Sequence, residues 1–402
     1  MSLLRTVVLE PSSHTNTKTV FRIPSGGKLI MPELRVCNFG VTTGGTADGN
    51  ETFNYGQGIY ALIRNVRLYS NNILIDQCQD CAKYLVLKNL NSTTNYCYDV
   101  KQRTLCSNVN MQDEYFAGFT GLKPIINKLI GRLDLSDVLN FLSAVPMLYN
   151  MPELRVEIEY NTDVTDIFST DGESRDEDFT FAVNQPTMLY TQEMDDGKVA
   201  EAKGDMPKNV AWFAWEREYI QGLPQQLSVP RVRAFDSKFV DKLVVQKLWY
   251  DLPGVGQPLV LNERLGPGSS KALGGEKINY IINGSKQLMF NGHDTAARRN
   301  AQVNDLLGPL VIPFNTWNIM AEPVTNNIMF PSMSDLNGAL SWDAISVGKV
   351  VNRLDLEFFY NDNTIAAGDR VDVWVWGAVL KFMTITDKGQ IVCGYQANGS
   401  SM

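Results

Sequence analysis

One strand-like octapeptide occurs twice in this chain, and that duplication constrains the fold more than any other feature. The first copy reads Leu154-Arg155-Val156-Glu157-Ile158-Glu159-Tyr160-Asn161. The second, 200 positions later, reads Leu354-Asp355-Leu356-Glu357-Phe358-Phe359-Tyr360-Asn361. Leu, Glu, Tyr and Asn match in register. Side chains on a strand change face at every residue, so Leu154, Val156, Ile158 and Tyr160 form one apolar row, and Leu354, Leu356, Phe358 and Tyr360 form another. Each copy is a strand with one face on a core. A one-faced strand written twice, half a chain apart, predicts a duplicated β domain.

The surroundings repeat as well. Ala61–Tyr69 leads into Ser70-Asn71-Asn72 and returns through Ile73-Leu74-Ile75. Lys277–Ile282 leads into Asn283-Gly284-Ser285 and returns through Lys286–Phe290. Asn and Gly tolerate the left-handed backbone that tight hairpins need. A helix is predicted after each hairpin. The first spans Gln79–Leu90, with Ala82, Leu85, Val86 and Leu90 on one face, and the second spans Asp294–Leu306. A third, short helix is expected after a cap at Ser136. Long strands are expected over Val210–Tyr219, Phe239–Tyr250, Val371–Phe382 and Gln390–Tyr395. Pro24 and Pro32 break the early strands. Glycine-rich loops at 39–58 and 251–276 take comparable places in the two halves.

A chain of 402 residues exceeds what one core usually holds, so two domains are expected: 1–192, a polar linker over 193–208, and 209–402. Many short strands, abundant turns and no strand–helix alternation predict antiparallel β-sandwich or jelly-roll domains. A net charge of −8 argues against a protein built to neutralise phosphates. No segment is apolar for the length a membrane helix needs, and the N-terminus lacks a signal-peptide pattern, so use without secretion is expected.

The pattern of strands resembles the double jelly-roll major capsid proteins, the lineage that includes adenoviruses, tectiviruses and large eukaryotic DNA viruses. It is most like the smaller eukaryotic members, the virophages and polinton-like viruses. The carrying segments are Gly58–Leu68, similar to the hairpin entry before a helix; Ile125–Ile158, similar to the inter-strand segment that closes on Met151-Pro152-Glu153-Leu154; and Trp374–Phe382, similar to the closing strand. The resemblance spans nearly the whole chain as spacing rather than as a diagnostic motif. It implies an all-β fold of two tandem eight-stranded jelly rolls with short inter-strand helices. It implies a homotrimer forming a pseudo-hexagonal capsomer that tiles an icosahedral virion, with no enzymatic activity and no cofactor. The implied partners are copies of itself, neighbouring capsomers, and penton and minor capsid proteins, without specific nucleic-acid binding. An inner membrane is a further partner to weigh, and the sequence does not decide whether Arg5, Lys18, Arg22 or Lys28 of the N-terminal arm touch it or a neighbouring capsomer. Loops 39–58 and 251–276 would form the outer crown. Among the seven tryptophans, all at or after Trp212, some are expected in cores and some in subunit interfaces.

No catalytic, cofactor-binding or metal-binding residue is assigned. Cys78-Gln79-Asp80-Cys81 is a C-x-x-C, but Cys97 and Cys106 follow at spacings unlike a zinc site, so packing thiols are expected. His14 and His293 lack a marked nucleophilic partner. Gly266–Lys271 departs from phosphate-loop spacing. The acidic run 171–178 reads as a solvated loop. Glu157 and Glu159 share the outer face of a strand, where a solvated or interface-facing row is expected over a glycosidase pair. The sequons at Asn50, Asn91, Asn283 and Asn398 carry no weight without secretion. The rival readings are a minor capsid, vertex or lectin-like β-sandwich binding protein, and a β-sandwich glycoside hydrolase.

Overall fold

A computed structural model describes residues 4–24, 29–44, 51–53, 58–90, 130–148, 151–170, 179–205, 209–224, 229–250, 277–287, 340–359, 370–385 and 390–395. The expected helix Asp294–Leu306, His293, Gly266–Lys271, Cys97, Cys106, Trp317, the run 171–178, half of loop 39–58 and all of loop 251–276 lie outside the described residues, as do the sequons at Asn50, Asn91 and Asn398.

Each half is built on two main antiparallel sheets, and the first half adds two two-stranded ribbons, Glu51–Phe53 with Phe168–Thr170 and Val41–Gly44 with Thr180–Val183. In the first half one sheet runs Leu4–Leu9, Thr187–Glu193, Arg35–Phe39, Gly131–Asp134, with Leu29–Ile30 added to Thr187–Glu193. The other runs Ser13–His14, Lys18–Ile23, Leu154–Tyr160, Ile63–Ser70, Ile73–Gln79. In the second half one sheet runs Asn209–Pro224, Arg370–Ile385, Lys238–Tyr250, Leu340–Val351, with Ile391–Tyr395 added to Arg370–Ile385. The other runs Arg231–Val232, Leu354–Phe359, Lys277–Ile282, Ser285–Lys286. Counting the eight principal strands of each half in chain order, both halves seat the first, eighth, third and sixth strands in one sheet. The second, seventh, fourth and fifth form the other. That seating is a jelly roll, and it occurs twice.

The duplicated octapeptide is the seventh strand in both rolls. Leu154, Val156, Ile158 and Tyr160 are buried, as are Leu354 and Leu356. The hairpin beside it repeats in detail. Arg155 lies opposite Tyr69, and Asp355 lies opposite Ile281. Both hairpins turn through two residues with positive φ, Asn71 and Asn72 in one roll and Asn283 and Gly284 in the other. The first turn residue then docks on the loop ahead of the seventh strand. Asn71 N donates to Pro152 O at 3.0 Å, and Asn283 N donates to Arg353 O at 2.8 Å.

Register also places the long connections. Gly131 lies opposite Phe39, Asn65 opposite Gln79, and Leu340 opposite Leu248. The third-to-fourth and fifth-to-sixth connections of the first roll therefore leave from one end of the sandwich, and in the second roll the third strand ends where the sixth begins.

Two local expectations differ. The first helix runs Cys81–Leu90, because Gln79 still belongs to a strand and Asp80 takes a positive φ of 46° between them. Ser136 is not a helix cap. It lies inside a 3-10 turn, Leu135–Asp137, and the following helix, Asn140–Ala144, starts after Leu139 without a side-chain cap. Burial of Leu135, Leu139, Phe141 and Leu142 fixes this segment where capping does not.

Candidate functional site

The richest side-chain chemistry lies at the seam where the second roll meets the first. The edge strand Asn209–Pro224 leans on strand Ile73–Gln79 and on the helices Cys81–Leu90 and Asn140–Ala144 of the first roll. Phe141 meets Trp212 edge-on, with ring centroids 5.0 Å apart, and Tyr84 lies between Trp215 at 6.2 Å and Trp376 at 5.9 Å. Trp212, Trp374 and Trp376 are buried here. These tryptophans therefore join the two rolls of one chain, a role intermediate between the expected core and subunit-interface positions. Apolar burial at the seam is continuous with the first roll's core, which takes in Val210, Ala214, Met383 and Ile391.

The C-x-x-C segment supplies the polar half of the seam. Cys78 and Cys81 are both buried free thiols, and Cys81 Sγ donates to Cys78 O at 3.4 Å. Burial pushes the Cys78 thiol well up, so it is held as a neutral packing group. Asp80, between them, does more. Its carbonyl accepts from Lys83 N and Tyr84 N at the helix start. Its carboxylate takes the Trp374 indole N–H at 3.1 Å and pairs with Arg217 at 2.8 Å. Lys83 lies over the Trp374 ring at 4.8 Å. Sequence reading singled out the thiols here, and the acid between them proves to be the bridging residue. Its only prior signal was its place at a strand-to-helix turn.

Deeper in, Asp76 is buried, with its two oxygens taking Gln77 N and Phe141 N, both at 2.9 Å. Burial raises its carboxyl to about 6, and the nearby Lys381 ammonium and the two amides hold back a larger rise. Lys381 is itself buried and pairs with Glu216 at 3.3 Å. Glu216 also takes Lys238 at 2.7 Å and the Tyr395 hydroxyl. Burial alone would raise the Glu216 carboxyl, but Lys381, Lys238 and Tyr395 together lower it. Asp76, Lys381, Glu216 and Lys238 thus alternate in sign. They tie the first roll to three strands of the second, with each charge compensated, as burial requires.

The remaining candidates have structural partners. Glu157 is nearly covered rather than solvated, paired with Lys18 at 2.7 Å and Arg155 at 3.3 Å. Glu159 is paired with Arg67 at 3.1 Å and accepts from Asn65 at 2.7 Å. Each carboxylate is occupied by its own cation. His14 donates from Nε2 to Val183 O at 3.0 Å, which leaves Nδ1 to accept from the Thr19 hydroxyl at 2.8 Å. Thr19 in turn accepts from Tyr160. Among the described residues no group of three or more His, Cys, Asp or Glu is placed to hold a metal ion. Within the same residues, no helix is long and apolar enough to cross a membrane.

No protein-family model and no curated protein matches the chain. Solved structures do. A chain of the Sputnik virophage structure is similar with a TM-score of 0.60 at 10% identity, over 99% of this chain and 89% of that one. The capsid of PBCV-1 virus gives 0.54 at 10% identity over 98% of both chains. The mavirus major capsid protein gives 0.53 at 11% identity, over 97% of this chain and 90% of that one. The correspondence runs through both rolls in each case, and the chain has the double jelly-roll fold of these viral major capsid proteins.

Proposed function

We propose that the chain is the structural major capsid protein of an icosahedral virus. Three copies form a pseudo-hexagonal capsomer, and capsomers tile the shell. The observation that carries this reading is the repeated strand seating, because two equivalent rolls per chain give a three-fold ring six similar units. The likeness to capsid structures along nearly the full chain supports it. We place the rolls at 1–192 and 209–402, joined through 193–208, a stretch that carries the helix Asp196–Asp205. The protein acts by assembly and not by catalysis. Glu157 and Glu159, the pair a glycosidase would need, are each committed to ion pairs. Its partners are copies of itself, neighbouring capsomers, and penton and minor capsid proteins within the virion. Many individually weak contacts between capsomers suffice for a closed shell.

Negative-stain imaging of the purified chain tests the reading. Particles with a hexagonal outline and three-fold symmetry are expected. Single two-lobed particles at every protein concentration would contradict it and favour a lectin-like or vertex binding module.

A further inference from the structure

We infer that Cys78 and Cys81 form a redox-sensitive clamp on the seam between the two rolls, a dithiol that closes to a disulfide around Asp80. The clamp lies within one chain and does not depend on assembly. Cys78 lies on strand Ile73–Gln79, and Cys81 opens helix Cys81–Leu90. Both side chains are buried and both thiols are free. Cys81 Sγ lies 3.4 Å from Cys78 O, and the two thiols also interact with each other. A disulfide needs two cysteines whose side chains already converge. This turn holds one sulfur against the peptide unit of the other cysteine.

The residue between them ties the pair to the second roll. Asp80 takes a positive φ of 46°, a backbone that a non-glycine residue keeps when its surroundings hold it there. From that turn its carboxylate reaches Trp374 and Arg217. A bridge from Cys78 to Cys81 removes extended alternatives of the turn and so holds Asp80 toward the second roll. The closed seam in turn shields the pair, since the attacking species is the thiolate and burial keeps Cys78 protonated. Opening the seam lets an oxidant in. That oxidant is a small-molecule disulfide such as oxidised glutathione. One cysteine loses its proton, attacks a sulfur of the oxidant and expels one thiolate. The second cysteine loses its proton, attacks the mixed disulfide and expels the other. One S–S bond forms in the protein and one breaks in the oxidant, which leaves as two thiols carrying both electrons and both protons.

The test incubates the full chain in native buffers spanning ratios of reduced to oxidised glutathione, blocks it with maleimide and weighs its peptides. The peptide carrying Cys78 and Cys81 is expected two hydrogens lighter and free of maleimide, with reductant reversing both, while the half-buried Cys37 takes up glutathione. Cys81→Ser should leave a glutathione adduct on Cys78 instead. Thiols at 78 and 81 that stay free in buffers where Cys37 reacts overturn the inference. So do separate glutathione adducts on both in the wild type, or a bridge from either one to another cysteine. Arg217→Gln, which takes the cation from Asp80, is expected to close the pair several-fold faster, and an unchanged rate overturns the coupling to the seam. Should that variant fail to fold by circular dichroism, Arg217→Lys takes its place. In the oxidised wild type the amides of Asn209–Pro224 are expected to exchange hydrogen several-fold more slowly than in the reduced chain, and equal exchange overturns the clamp.

Discussion

At the residue scale, the seam shows how a buried charge is tolerated. Asp76 has a folded-state carboxyl near 6 against an ordinary value of 3.8. The folded protein therefore binds a proton more readily than the unfolded chain between those values. Stability contributed at this site is fullest below pH 4 and falls as pH rises through about 6. The shift corresponds to about 3 kcal/mol. Glu216 works in the opposite sense: with its carboxyl lowered, it supports stability that is lost on acidification. The Asp76 contribution is isolated by comparing wild type with Asp76→Asn. Wild-type stability minus variant stability should fall by about 2 kcal/mol between pH 4 and pH 7 in urea titrations, and a gap independent of pH would refute the assignment. Gly377 makes a simpler case. A Cβ there would lie 2.5 Å from the ring of Phe235, which is fully buried. Gly377→Ala should cost about 1–3 kcal/mol by overpacking, seen as a lower urea midpoint at unchanged slope.

At the element scale, the hairpin turns carry the fold's specification. Asn283 combines a positive φ with an acceptor that takes Asn352 N at 2.7 Å and Arg353 N at 3.1 Å. Asn283→Ala loses both bonds and strains the left-handed backbone, so a loss of about 2 kcal/mol is expected in thermal or urea unfolding. The Asn-Gly and Asn-Asn turns were legible in the sequence because only a few residues accept that backbone. The apolar row of the seventh strand was legible because alternation is local. The cap at Ser136 was misread because capping is a weak local preference, and burial of Phe141 against Trp212 set the helix instead. Covering of Glu157 was also out of reach, since it depends on Lys18 from a strand 139 positions away in the chain.

At the scale of the whole molecule, two rolls behave as one body because aromatic packing and a compensated charge chain fill the seam. Sequence reading found the duplication but not the seam, since the partners Asp80 and Trp374 come from different halves and share no local pattern. Trp212→Ala removes the centre of that packing and should cost about 3–5 kcal/mol. The unfolding curve is expected to split into two steps, one per roll, whereas a single undiminished transition would show that the seam carries little energy.

The measurement that bears most directly on the account is the solution mass of the purified chain by light scattering. A stable species of about 135 kDa, three times 45.0 kDa, is predicted across a wide concentration range. A single species at 45.0 kDa, persisting as concentration rises, would contradict it.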